Sequence, residues 1–303
     1  MKLTVIDNDS AFAILPPTPP SLWQQFCARP CLFLANKLYS WRPKAPPDAE
    51  FGITIVCISN TYKERPELPE GDVLIHAGDL TTTGSLAELE ITLKWLHTQP
   101  HPIKIVIAGK NDSYLDYFKR GSPAWAAGLE PDVNWGDIIY LHHDYVALQC
   151  PNGREVTIFG SPFSPRTTPS AGFQYPRGAD IWAEVTDDVD IFVTHTPPWT
   201  HLDSLRGCPH LLNRMWRCPP RLVIFGGSIE NWGAKYLHYD ALQNAMEVME
   251  HDGGGFFNLL RVIKGFLLAF LHPRRKAVTL LVNACYSEGM WSVGQRKPVI
   301  VTC

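Results

Sequence analysis

Asn60 and Tyr62, Asp79, Lys110 and Asn111, and His195 stand where chemistry is most easily done. Each lies in a short polar or glycine-rich loop directly after an apolar, β-rich run: "CISNTY", "LIHAGDLT", "IVIAGKND" and "FVTHTPP". A fifth run, "RLVIFGG", leads into "SIENWGA". By type the set offers a carboxylate, an imidazole, an amine, a phenol and two amides. The imidazole can move a proton near neutral pH, and the amine, phenol and amides can donate hydrogen bonds to a polarised carbonyl. A carboxylate and an imidazole alone would hold a divalent ion poorly, because such ions need more donors than that.

These loops meet only if the runs before them lie side by side. "GITIVCIS", "GDVLIHAGD", "IKIVIAG", "EVTIFGSP", "DIFVTHTPP", "RLVIFGG" and "VTLLVNACY" read as strands, and "LAELEITLKWLHTQ" as an amphipathic helix. Uniformly apolar runs in βαβ-like alternation predict an α/β fold with its functional loops at the strand C-termini. Residues 1–50 read as an N-terminal helical extension and linker. There "SLWQQFCARPCLFLANKLYSW" forms two short helices, Pro30 opens the second, and "PKAPPD" is stiff. Residues 51–303 read as the main domain, with an apolar helical insertion around 253–275. From Phe256 to Leu271 the polar residues are mainly Asn258, Arg261 and Lys264, one narrow stripe on a broadly apolar helix. Such a helix fits burial within its own domain. It also fits a lid over an apolar pocket, or an in-plane place at a membrane surface with "HPRRK" as a basic end. The extension shares its apolar character, so the two can pack on each other.

The 303 residues, 45% of them hydrophobic, support a sizeable core, and a net charge of −3 gives no electrostatic case for nucleic acid. Eight cysteines are scattered without a second pair at metal-binding spacing, which reads as free thiols in a reducing compartment. The opening "MKLTVIDNDSAF" lacks the apolar run of a secretory leader, so a cytoplasmic location is expected and the sequons at Asn8 and Asn111 carry no weight. No stretch approaches the roughly 20 apolar residues that span a bilayer.

The five strand-end loops, in order, resemble those of the calcineurin-like metallophosphoesterases, in particular the metallophosphoesterase-domain-containing branch common in fungi. "CISNTY" is similar to that family's "SDTH", "LIHAGDLT" to its "GD" loop and "IVIAGKND" to "AGNHD". "VTHTPPWTHLD" is similar to "THGPP…LD", and "RLVIFGGSIENWGA" to "HVFGHIHEGYGA". The match covers roughly residues 52–303. It implies a four-layer α/β/β/α sandwich of two mixed sheets, and two divalent metals that share one aspartate and activate water. Residue by residue, however, the family's first-loop aspartate is Asn60 here and the histidine after it is Tyr62. Its asparagine ligand is Lys110, and the catalytic histidine beside that is Asn111. Its last two histidines are Gly227 and Ile229. Asp79 and His195 alone keep their family identity, so a metal-free site without cofactor is expected, with Lys110 beside Asp79 in place of the metals' charge.

On this reading Asn60, Tyr62, Asp79, Lys110, Asn111 and His195 carry catalysis, with Trp199, His201, Trp232, Phe163 and Phe173 as aromatic walls. Blander roles stand beside these. Lys110 can be a counter-ion only, His195 a relic held by a backbone carbonyl, Tyr62 filler where metals sat, and Asn60 and Asn111 loop caps. Asp112 and Asp116 read as caps of a following helix, and Asp203 and Glu230 as scaffold. The expected partner is a small-molecule substrate, with membrane contact the lesser alternative. The favoured function is a repurposed, metal-independent enzyme acting on a fairly apolar metabolite by cyclisation, isomerisation or cycloaddition, in a setting such as fungal secondary metabolism. A non-catalytic binding or scaffold protein and a residual metal-dependent phosphodiesterase are the alternatives.

Overall fold

The computed structural model describes residues 2–4, 20–42, 52–116, 133–150, 152–168, 171–203, 206–271, 277–287 and 296–302. In chain order the elements begin with β1 (Lys2–Thr4), α1 (Leu22–Ala28), α2 (Pro30–Ser40), β2 (Thr54–Ile58), β3 (Val73–Ala77), α3 (Leu86–His97) and β4 (Ile103–Ile107). There follow β5 (Ile138–Tyr140), β6 (Asp144–Gln149), β7 (Glu155–Ser161), β8 (Ser164–Pro165), β9 (Gln174–Tyr175), β10 (Ile191–Thr194) and α4 (Pro209–Arg217). The chain ends with β11 (Leu222–Phe225), β12 (Gly233–His238), α5 (Ala241–His251), α6 (Phe256–Leu271), β13 (Val278–Asn283) and β14 (Val299–Thr302).

Two six-stranded mixed sheets form, in the orders β1-β14-β2-β3-β4-β5 and β12-β13-β11-β10-β7-β6. β2 to β5 run parallel, as do β7, β10, β11 and β13, while β14 and β6 pair antiparallel at their borders. Alternation along each strand sorts side chains between two cores. Ile55 and Cys57 of β2 join Ile75, Ile105, Ile158, Val193 and Ile224 in the core between the sheets. Val56 and Ile58 face outward to Leu89, Leu93 and Leu96 of α3. On the far side of the second sheet Arg214 of α4 lies over the Phe192 ring, and Phe159 and Trp182 continue that layer. The result is the expected α/β/β/α sandwich. The predicted strands are all present. The strands not anticipated are β1, β5, β6, β12 and β14 and the short pair β8 and β9; β1, β5, β6 and β12 are sheet edges, and a strand such as β6 is half exposed and lacks a continuous apolar run.

The chain divides into two compact units. Residues 1–5, 48–236 and 279–303 carry the sheets, and residues 6–47 and 237–278 form the smaller unit. In the smaller unit Ala35 of α2 packs with Leu242, Ala245, Met246 and Met249 of α5 and with Leu259 and Val262 of α6. Arg42 pairs with Asp240, and the Tyr39 hydroxyl donates to Gln243. Gly265 lets α5 and α6 close up, since a Cβ there would lie 2.7 Å from the Leu242 Cα. α6 buries only Asn258, Leu259, Val262 and Gly265, so the expectation of a buried helix holds for one face alone. Among the described residues no helix is long and apolar enough to cross a membrane.

Candidate functional site

The parallel strands β2, β3, β4, β10 and β11 all deliver their C-termini to one edge of the larger unit. The loop after β2 holds Asn60 and Tyr62, and the loop after β3 holds Asp79. These three residues adopt left-handed backbone, with φ of 52°, 51° and 57°. For non-glycine residues that conformation is costly. It is held by Asn60 donating its backbone N–H to Gly78 (2.9 Å) and Tyr62 donating to Asp79 (3.3 Å).

Asp79 is wholly buried and lies at the centre. Its Oδ2 accepts from the side-chain amides of Asn60 and Asn111, both at 2.8 Å, and from the Tyr62 hydroxyl at 3.4 Å. Its Oδ1 accepts the backbone N–H of Asn111 at 2.9 Å. Asn60 is oriented by its other end, where Oδ1 accepts from the Ser59 hydroxyl at 2.5 Å and the Gly227 N–H at 3.0 Å. Burial, then the neighbouring Asp79 carboxylate, push the Tyr62 phenol well up, so it stays protonated and donates.

His195, also buried, has Nδ1 at 3.0 Å from the Ala77 carbonyl oxygen. A carbonyl only accepts, so Nδ1 carries the proton and Nε2 presents a lone pair. Nε2 lies 3.4 Å from Asp79 Oδ1 and, among the described residues, is a buried atom without a hydrogen-bond partner. Burial lowers the imidazole pKa, Asp79 opposes this and Lys110 adds to it, leaving His195 below its ordinary value. The neutral ring therefore keeps one lone pair, on a buried nitrogen beside Asp79.

Lys110 is the first correction. It does not pair with Asp79: no salt bridge joins them among the described residues, and the carboxylate is satisfied by uncharged donors. Lys110 instead lines a cleft of about 480 Å³ together with Asn111 and His195. The second correction concerns the walls. Phe173 lies in the core beneath α3 with Phe163 against it, and Trp232 packs on the core between the sheets. Neither these nor Trp199 and His201 are among the described lining residues. Hydroxyls line the cleft instead, from Thr82, Thr83, Ser113, Ser164 and Thr167, with Arg206 as a second cation and Asp203 and Glu230 as carboxylates. Sequence reasoning passed over them, although "LTTTG" and "SPRTT" follow the strands directly. Asp112 and Asp116, expected to cap or stabilise a following helix, tie loops together. Asp112 accepts from the N–H groups of Leu80, Thr81 and Gly109 and from the Thr81 hydroxyl, and Asp116 accepts from Phe173. Residues 117–132, where that helix was expected, lie outside the described residues. Asp203 likewise clasps its own loop by accepting from Thr200 and Gly207.

The family profile described as calcineurin-like phosphoesterase matches residues 56–229. The chain belongs to that family. Among curated proteins it is 34% identical over 289 residues to one named probable rhamnogalacturonate lyase C from Emericella nidulans, covering 93% of this chain and 27% of that one. It is 32% identical to UPF0046 protein K07C11.7 of Caenorhabditis elegans, covering 62% of this chain and 67% of that protein. It is 34% identical to the human metallophosphoesterase domain-containing protein 1, covering 63% of this chain and 64% of that protein. The chain thus spans about a quarter of the first of these relatives and about two thirds of the others. The solved structure of TT1561 from Thermus thermophilus aligns with a TM-score of 0.42 at 16% identity, over 61% of this chain and 84% of that one.

The phosphoesterase family implies a pair of divalent metals, and the residues present do not fit one. Asn60 and Asn111 turn donors, not lone pairs, toward Asp79. Asn60's oxygen is used by Ser59 and Gly227, and Asp79 Oδ2 already accepts three hydrogen bonds. What remains for a cation is Asp79 Oδ1 and His195 Nε2. Among the described residues no group of three or more His, Cys, Asp or Glu converges as metal donors.

Proposed function

We propose that this chain is a metal-independent member of the calcineurin-like phosphoesterase family, and that its cleft takes a small, oxygen-rich, anion-bearing molecule and acts on it by proton transfer, in an isomerase- or cyclase-type reaction. The observation that carries this reading is the saturation of Asp79. The carboxylate at the position of the family's shared metal ligand is filled by N–H and O–H donors from Asn60, Tyr62 and Asn111, which stand at other positions where the family places metal ligands or its catalytic histidine.

In such a reaction Nε2 of His195 takes a proton from the substrate, and the imidazolium that forms is stabilised by Asp79 Oδ1 at 3.4 Å. Lys110 and Arg206 hold the anionic group, and the hydroxyls of Thr82, Thr83 and Ser164 bind the oxygens. The hydroxyl lining favours a polar substrate over the apolar one expected from sequence. The lyase name of one relative is consistent with chemistry outside phosphoester hydrolysis, but this chain spans 27% of that protein and its activity is not carried over. The free cysteines among the described residues support an intracellular setting.

The test begins with metal content. Protein purified without metal and then offered manganese, iron or zinc should hold almost none, and a chromogenic phosphodiester should hydrolyse at background rate. One or two tightly held ions per chain, lost in Asp79→Ala, would overturn the reading in favour of hydrolysis. Thermal-shift screening of hydroxylated carboxylates and phosphates then finds ligands, and Lys110→Met should weaken their binding. His195→Gln separates the two metal-free readings: lost turnover with retained binding supports an enzyme, while a ligand bound but unchanged by the intact protein supports a binding protein.

A further inference from the structure

The smaller unit has a surface that the cleft chemistry does not use. α6 buries Asn258, Leu259, Val262 and Gly265 on one side. On the other, the helical period gathers Phe256, Leu260, Ile263, Leu267, Phe270 and Leu271 into a single stripe, each between 37% and 72% exposed. At 3.6 residues per turn these six span an arc of about 100°. Exposed Lys264 and Arg261 follow along one edge, with Phe257 and Leu268 between them. On α1 of the same unit Leu22 and Trp23 are also exposed.

Charge singles out the occupant. The chain as a whole is acidic at −3, yet α1, α2 and α6 contain no aspartate or glutamate, and their cations are Lys37, Arg261 and Lys264. The acidic residues nearby, Glu247, Glu250 and Asp252, lie on α5 or at its end. Arg261 also donates to Asn258 and faces Asp252, but Lys264 and Arg261 are the charges on α6 itself, and an apolar stripe with cations at its edge matches a surface that is apolar beneath and anionic on top. A second copy of the chain is a poorer match, because pairing α6 with itself brings like charges together. Sixteen residues at about 1.5 Å each fall short of a bilayer core of roughly 30 Å, so the helix lies along the interface and does not cross it.

We propose that the exposed face of α6 docks on an anionic lipid bilayer, its apolar stripe sunk to the headgroup boundary and Lys264 and Arg261 reaching lipid phosphates. Trp23 suits the same interfacial depth.

Co-sedimentation of the full chain with vesicles tests this, using phosphatidylcholine alone and phosphatidylcholine containing a third phosphatidylserine. The expected result is strong binding to the anionic vesicles at low salt, little to neutral ones, and a several-fold fall at high salt. Leu260→Glu with Leu267→Glu should abolish binding with unchanged circular dichroism. Arg261→Gln with Lys264→Gln leaves the apolar face alone and should weaken anionic binding about tenfold or more, each cation being worth about fivefold. No binding to anionic vesicles at low salt would overturn the proposal, as would binding untouched by both variants. Sedimentation velocity covers the remaining case: a dimer that the glutamate pair dissociates, with no vesicle binding, would assign the face to a second copy instead.

Discussion

At the strand ends polar atoms lie buried, whereas on α6 apolar side chains stand in water. Both regions invert the usual partition, in opposite ways. Asp79 is out of solvent, and the fold repays that cost internally through Asn60, Tyr62 and Asn111. Nothing within α6 compensates Phe256, Leu260 or Leu267. A compensated inversion is part of what holds the chain folded. An uncompensated one contributes nothing to folding and points to something outside the chain.

The largest effect should come from breaking the compensated side. Asp79→Ala strands the amides of Asn60 and Asn111 in a buried space and should cost about 3 kcal/mol or more in urea unfolding. On the metal-independent reading, a chelator should leave the wild-type midpoint unmoved. Next comes a pH effect from the larger unit. His76 is fully buried and its pKa is pushed down to about 3 by burial, then by Arg65 and His195. Below about pH 6.5 the unfolded chain takes up a proton that the fold refuses until near pH 3. That contribution to stability is therefore complete above pH 6.5 and is lost as pH falls. Between pH 7.5 and pH 5 the wild type should lose about 2 kcal/mol more than His76→Gln does. In the smaller unit Gly265→Leu should cost about 2 kcal/mol, because its Cβ meets the backbone of Leu242 and Ala241. The smallest effect sharpens the comparison most: Leu267→Glu on the outer face should change stability by no more than about 0.5 kcal/mol. A larger loss there would mean that the face supports the fold after all.

What could be read from the sequence follows the same division. Strands buried on both faces write continuous apolar runs, so β2, β3, β4, β7, β10, β11 and β13 were legible, and with them the order of the loops. The outer strands alternate weakly and were not. Lys110 was misassigned because counting charges makes a lysine the obvious partner of a lone aspartate. The actual partners depend on left-handed backbone at Asn60 and Tyr62, and on the Gly227 N–H fixing which end of the Asn60 amide faces inward. Neither leaves a pattern in composition. The aromatic walls failed for a related reason: Phe173 and Trp232 come from strand-end loops but turn into the cores. On α6 the apolar arc is wider than any one neighbour can cover, and the sequence alone does not say which part of it is covered.

Gly227 closes the site to any larger residue. With φ at +68°, a Cβ there would lie 2.7 Å from the carbonyl oxygen of His195 and 3.3 Å from its Nε2. The nearer obstacle is backbone and cannot rotate away, and the Gly227 N–H is already committed to Asn60. A histidine reintroduced at this position would meet neighbours that have closed over the space. Any side chain placed here by substitution therefore needs the backbone of His195 to move before it can enter the cleft.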